Sequence, residues 1–472
     1  MRPNVLCVVL DTARADAFEP YGAAAGATPA TAQLAARGVA ATDVFATASW
    51  TLPSHASMLT GLMPRAIGLS QPPGGTPQGA RPVLQAARER LLPEVLRVDG
   101  YETVGMTANL WVSPHAGFDT GFERFEYVHA QRQVRMETPA GGDLRARASW
   151  ALEGLRARAD DGAAELEKKL VELSSRRGSR PFFCLVNLIE AHSPYLPPRP
   201  YNDLPAHERV RAAMEARRHL SFAGICRACL GEFDVPEEAL ERMRHLYAQS
   251  VRFLDDWLAR VLEALDASGA LDDTLVIVTS DHGENLGEGG LIGHAFSLDN
   301  RLIRVPLVAA GPGADAFGEQ PVTSLASLPR LVARAVGLER HPWEAGALPA
   351  GVAVAQFDSP GPSTHPRVAH FIEQWGVDPA DYWRLDEPLT SATDGSLKLE
   401  RRGPRELLFD LAADPLELHG REPDGSSAIE RLREALRHPS VTAQAATDAA
   451  AGPVDLEEVG ELEAQMKLLG YL

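Results

Sequence analysis

Thr274-Leu275-Val276-Ile277-Val278-Thr279-Ser280-Asp281-His282 is the stretch on which the fold turns. Its first six residues read as a short core strand, and the polar pair that follows is delivered at the carboxyl end of that strand. The same construction occurs twice more. Val5-Leu6-Cys7-Val8-Val9-Leu10 ends on Asp11, and an apolar run over 181–189 leads to His192. Helical stretches fall between the runs: Thr31 to Arg37, an Arg-rich segment from about Ala146, and Leu240 to Ala267. This order predicts an α/β fold, with a mixed, mostly parallel sheet flanked by helices. In such sheets ligands collect at the carboxyl ends of the strands, where Asp11, His192, Asp281 and His282 stand.

The pattern divides the chain into a catalytic α/β domain over 1–387, a small C-terminal α+β subdomain over 388–440, and a linker with a terminal helix over 441–472. Pro197-Pro198-Arg199-Pro200 opens a helix-prone insertion within the first domain, over 198–246. The subdomain shows short strands at Ser396 to Glu400 and Glu406 to Leu411, then a helix through Ile429 to Leu436. In the last segment Leu456, Val459, Leu462 and Met466 recur at helical spacing.

The chain has 472 residues, 45% of them apolar, and can bury a large core. A formal charge of −18 argues against nucleic-acid and anionic-membrane partners, because counterion release needs a basic surface. An anionic substrate must then be met by a local cation, and a bound metal is one source of it. The first apolar run is too short to span a bilayer and lacks a cleavage region, so a cytoplasmic protein is expected. Four cysteines form no disulfide framework, and the lone Cys226-Arg227-Ala228-Cys229 pair reads as ordinary thiols.

Two carboxylates and an imidazole at strand ends, Asp11, Asp281 and His282, suit one divalent cation bound by oxygen and nitrogen. Singly, each Asp is as well read as a turn or helix cap. The segment Trp50-Thr51-Leu52-Pro53-Ser54-His55, running into an apolar helix, presents Thr51 at a helix N-terminus as a nucleophile and a further metal ligand. A metal on that hydroxyl would lower its pKa and turn a weak nucleophile into an alkoxide-like one.

Several segments, in order, resemble the sulfatase branch of the alkaline phosphatase superfamily. Leu10-Asp11-Thr12-Ala13-Arg14 resembles its first metal loop, Trp50 to Gly61 its nucleophile segment, and Ser280-Asp281-His282-Gly283-Glu284-Asn285 its second metal loop. Leu302 to Leu307 and Glu406 to Pro415 are similar to later landmarks, so the resemblance spans nearly the whole chain. It implies that His192 assists the leaving oxygen, that His294 stands where many relatives carry an anion-binding Lys, and that Asn109, His55 and Thr12 border the substrate.

Three positions leave that pattern. The family places Cys or Ser at position 51 and oxidises it to formylglycine, a route closed to Thr51. His55 replaces the Arg that ends the motif, and Thr12 replaces a calcium-binding Asp. One ligand fewer and a His at position 282 favour Mn or Zn over Mg or Ca. Leu188 stands where a two-metal phosphodiesterase would need Asp, so one metal is expected. These departures predict a metal-dependent hydrolase or transferase of small anionic esters, phosphoesters and phosphodiesters before sulfates. Its intermediate forms on Thr51, with Thr51, His192 and His294 as catalytic residues. A sulfatase working without formylglycine is the first alternative, and a degenerate anion- or partner-binding member the second.

Overall fold

The computed structural model describes residues 2–69, 80–128, 144–158, 160–176, 180–231, 234–358, 369, 372–373 and 386–444. The terminal helix expected over 456–469 lies outside them. Seven strands form the central sheet: β1 (Asn4–Leu10), β2 (Val39–Ala40), β4 (Glu102–Thr107), β5 (Arg124–Tyr127), β6 (Phe182–Leu188), β7 (Thr274–Thr279) and β10 (Leu307–Ala310). Their order is β2-β10-β7-β1-β6-β4-β5, with β10 antiparallel to both neighbours and the rest parallel. Two short pairs lie outside this sheet, β3 (Asp43–Phe45) with β11 (Val322–Ser324) and β8 (Asn285–Leu286) with β9 (Ile292–Gly293). The mixed, mostly parallel α/β sheet is as the alternation of runs predicts.

Both faces of this sheet are covered, which is why its strands are nearly all apolar. Along β1, Val5, Cys7 and Val9 enter one core while Leu6, Val8 and Leu10 enter the other. Helices α1 (Pro29–Ala36), α2 (Thr51–Thr60), α3 (Leu144–Arg156), α4 (Ala163–Ser175), α5 (Ala206–His219), α6 (Phe222–Cys229) and α7 (Glu237–Ala267) include the layers on these faces. Leu52, Ala56 and Leu59 of α2 pack on the first face; Leu166 and Leu170 of α4 and Leu254, Trp257 and Leu258 of α7 pack on the second. Trp257 is fully buried and donates its indole N–H to Ala163 O at 2.9 Å.

Two boundaries differ from expectation. The Arg-rich helical segment is two helices, α3 and α4, and the second starts after Gly162, whose φ of 113° suits glycine. Helix α7 begins at Glu237, just after Pro236, so position 246 lies inside one continuous helix. Glu237 and Glu238 place acidic charge on its first turn, where the helix dipole favours it.

A second, antiparallel sheet has the order β12-β13-β14-β15, from β12 (Ala353–Phe357), β13 (Leu389–Thr393), β14 (Leu397–Arg402) and β15 (Arg405–Asp410). Its first strand lies upstream of position 388, where the sequence pattern changes. Helix α8 (Ser427–Arg437) lays Ile429, Leu432 and Leu436 against Leu399 and Leu408 of this sheet. From β14 the buried Lys398 ammonium reaches Glu417 and the backbone carbonyl of Leu298, tying the small sheet to the loop after Gly293. Among the described residues no helix is long and apolar enough to cross a membrane.

Candidate active site

Register places the site. Leu10 pairs with Leu188 and Val9 with Thr279, so the loops carrying Asp11, His192 and Asp281 leave the sheet side by side. Thr12 then takes φ of 59°, a left-handed conformation unusual for a residue with a Cβ. That bend aims its N–H at Asp281 Oδ1 (3.3 Å) and the next N–H, of Ala13, at Ser280 Oγ (3.0 Å). Asp281 Oδ1 also accepts from His282 N at 2.9 Å, and Asp11 Oδ2 accepts from Asn109 Nδ2 at 2.5 Å.

The other oxygen of each carboxylate, Asp11 Oδ1 and Asp281 Oδ2, is buried and accepts no hydrogen bond, the nearest ring nitrogen of His55 standing 3.4 Å from Asp281 Oδ2. Two such oxygens, side by side and fully out of water, cost several kcal/mol between them unless a cation meets them, roughly 1–3 or more each. His282 Nδ1 faces Gly283 O at 3.0 Å and so carries the ring proton, which leaves the Nε2 lone pair toward the acids. Nε2 lies 3.4 Å from Asp281 Oδ2 and 3.9 Å from Asp11 Oδ1. Asp11, Asp281 and His282 thus form a buried group of the kind that holds a metal ion, and the donor set fits one. Burial and the Asp281 charge push the Asp11 carboxyl well up. Burial would also raise Asp281, but His282 and His55 outweigh it and hold that carboxyl low.

Helix α2 brings Thr51 to the same point. Trp50 is extended, the helix starts at Thr51, and Gly61 ends it at φ of 72°, its N–H on Ser57 O. Ser54 Oγ donates to Asp281 O at 2.6 Å and pins the first turn against the second metal loop. Thr51 Oγ1 then lies 3.3 Å from His282 Nε2, below the helix N-terminus, whose free N–H groups attract anions.

Histidines build the other side. The His294 ring centroid lies 4.7 Å from that of His282 and 5.0 Å from that of His192. His294 Nδ1 stands 3.1 Å from Oε1 of the fully buried Glu284. Burial disfavours a charged His294, but the Glu284 carboxylate outweighs burial and raises its pKa. His192 is held down to about 4 by burial and by the neighbouring His294.

The expected site residues Asp11, Thr51, Asp281, His282, His192 and His294 therefore converge. Three others are engaged differently. The Thr12 hydroxyl donates to Asp11 O at 2.7 Å, so that group faces backbone. Asn109 spends its amide on Asp11 and its carbonyl on Trp111 N, which makes it a support of the acid. His55, expected beside the substrate, is fully buried, with Nδ1 3.0 Å from Thr51 O and Nε2 3.3 Å from Asn187 Nδ2. Glu284 and Asn187 are not among the residues that the sequence pattern marks. Glu284 lies inside the quoted second metal loop, while Asn187 carries no signal beyond being an amide in an apolar strand.

The family model described as Sulfatase matches residues 3–337. The chain belongs to the sulfatase family. This sulfatase-family chain is 31% identical over 273 residues to a choline-sulfatase of Rhizobium meliloti, covering 55% of this chain and 50% of that protein. It is 33% identical over 171 residues to the multifunctional alkaline phosphatase superfamily protein PehA of Trinickia caryophylli, a third of either chain. It thus spans half or less of the length of these curated relatives. Its fold is similar to that of a phosphonate monoester hydrolase of Agrobacterium radiobacter, with a TM-score of 0.64, 22% identity, and 93% and 95% of the two chains covered.

Proposed function

We propose that the protein is a metal-dependent hydrolase or group transferase of small anionic esters, phosphoesters first, working through a covalent intermediate on Thr51. The observation that carries this is the Thr51 hydroxyl at the start of α2, 3.3 Å from His282 Nε2 and beside two carboxylate oxygens that accept no hydrogen bond. Asp11, Asp281, His282 and Thr51 would hold one divalent ion, Mn or Zn before Mg or Ca, and such an ion lowers the pKa of a hydroxyl and polarises a substrate oxygen.

The residues of the chain divide the remaining work. The Thr51 hydroxyl gives its proton to solvent, and Oγ forms a bond to phosphorus as the ester oxygen leaves with its electron pair. Water or an acceptor alcohol then attacks the same phosphorus and loses a proton, and the Thr51 oxygen departs and is reprotonated. The proton on the leaving oxygen comes by way of His192, whose neutral ring at neutral pH must be supplied from elsewhere. His294 stands next to it, with its cation stabilised by Glu284, and serves as that proton store and as the contact for the anionic group.

A second reading, hydrolysis of sulfuric esters by unmodified Thr51, is supported by the sulfatase relatives. Phosphorus ranks first because the attacking group is an alcohol rather than an aldehyde hydrate. The test is a panel of aryl phosphomonoesters, phosphodiesters, phosphonate esters and sulfates, run with Mn, Zn, Mg and Ca, for the wild type and Thr51→Ala. Phosphodiester release above sulfate release, abolished in the variant, is the expected result. Turnover surviving Thr51→Ala overturns the nucleophile, and faster sulfate release promotes the second reading.

A further inference from the structure

Beneath the carboxylates runs a chain of hydrogen bonds whose direction can be worked out bond by bond. It starts from a group that can only donate. The backbone N–H of Asn109 donates to Thr107 Oγ1 at 2.9 Å, and the hydroxyl in turn donates to Asn187 Oδ1 at 3.0 Å. With Oδ1 occupied as acceptor, the Asn187 amide nitrogen points the other way. There it faces His55 Nε2 at 3.3 Å, with an N–H to donate.

His55 Nε2 is thereby an acceptor, so the ring proton sits on Nδ1. That proton faces Thr51 O at 3.0 Å and Asp281 Oδ2 at 3.4 Å. The opposite tautomer would aim a lone pair at a carbonyl and a carboxylate, a repulsive arrangement with no water to relieve it. Thr107, Asn187 and His55 are all buried. A buried amide with both ends used and no contact with solvent specifies orientation more than it adds stability.

We propose that Asn187 is a positioning residue: by fixing the tautomer of His55, its side-chain amide orients Asp281 and the Thr51 turn. The strand geometry suits this. Asn187 sits on β6 between Val9 of β1 and Thr107 of β4, one layer below the strand ends that carry the site. The inference rests on the reading that Asp11, Asp281 and His282 hold a divalent cation, since orienting Asp281 matters chiefly for a group it binds.

The test uses two variants of the full chain: Asn187→Leu, which removes the amide, and Asn187→Asp, which keeps its shape but replaces the donor with an acceptor. Nitrogen-15 NMR of histidine-labelled protein, with His55 assigned by loss of its signals in His55→Gln, reads the tautomer. Calorimetric titration with manganese chloride reads the acids, and turnover of an aryl phosphodiester gives kcat and KM. In the wild type His55 is protonated on Nδ1. Asn187→Asp moves the proton to Nε2, and Asn187→Leu weakens manganese binding by roughly 10- to 100-fold, with the loss in kcat rather than KM. His55 signals unchanged in both variants, or manganese affinity within twofold of wild type in folded Asn187→Leu, overturns the proposal. If Asn187→Leu does not fold, the isosteric Asp variant decides it by the tautomer alone. A wild-type protein that binds no manganese instead removes the metal reading, and the tautomer still reports whether Asn187 sets His55.

Discussion

The two halves of the site are built on different principles. On the carboxylate side, Asp11 and Asp281 each have one oxygen pinned by fixed donors, Asn109 on one and the N–H groups of Thr12 and His282 on the other. On the histidine side, His192, His282 and His294 lean on each other, and Glu284 is the carboxylate paired with His294. The first half fixes where atoms are; the second sets where protons are. Removing a group from the first should therefore abolish function, while changing the second should move its pH dependence.

The largest effect is expected at Thr51. Thr51→Ala should lower kcat/KM for an aryl phosphodiester by at least roughly 10³-fold, as loss of a nucleophile does elsewhere, with an unchanged circular dichroism spectrum. Next comes Asp281→Asn, which leaves a neutral amide beside His282 and Asp11. Calorimetry should show manganese binding weakened by roughly 10²-fold or more.

A smaller and different change is expected on the histidine side. The His294 pKa is raised by Glu284, so its cation is full at low pH and is lost as pH rises through the folded value. The stability it lends follows the same sense, complete below the unfolded pKa and lost above the folded one. Glu284→Gln withdraws the carboxylate and lowers that pKa. The alkaline limb of the kcat/KM profile should shift to lower pH, with activity at neutral pH down about 10-fold. An unshifted limb would mean that His294 is not the group that titrates.

Glu190 sharpens the contrast from outside both halves. Burial and the nearby Asp161 and Asp160 raise its carboxyl to about 8, and it accepts from Ala163 N at the start of α4. A carboxyl raised in the folded state binds more protons there than when unfolded, so stability falls as pH rises from about 4.5 to about 8. Glu190→Gln, a mimic of the protonated form, should flatten that fall in a melting-temperature series from pH 4.5 to 9, with little change in kcat.

The legible and illegible parts of this molecule differ for a physical reason. Asp11, Asp281 and His282 could be found because each follows an apolar strand, and strand ends in an α/β sheet are where ligands gather. Thr51 could be placed at the start of α2 because proline and small polar residues mark the helix entrance. Asn187 and Glu284 act through partners distant in sequence or through burial, and neither leaves a local pattern. His55 lies in the expected neighbourhood, but one helical turn after Thr51 it points inward at Asn187 and not outward. Strand β12 leaves no local mark because its pairing with β13 joins residues 32 to 40 positions apart.

The central claim is that the Thr51 oxygen carries the transferred group. Rapid acid quenching of the manganese-loaded protein with an aryl phosphodiester, followed by peptide mass mapping, tests it most directly. The account predicts a phosphoryl ester on the peptide containing Trp50 to Met58, localised to Thr51 and absent from Thr51→Ala. An adduct on another residue, or undiminished turnover by Thr51→Ala, would contradict it.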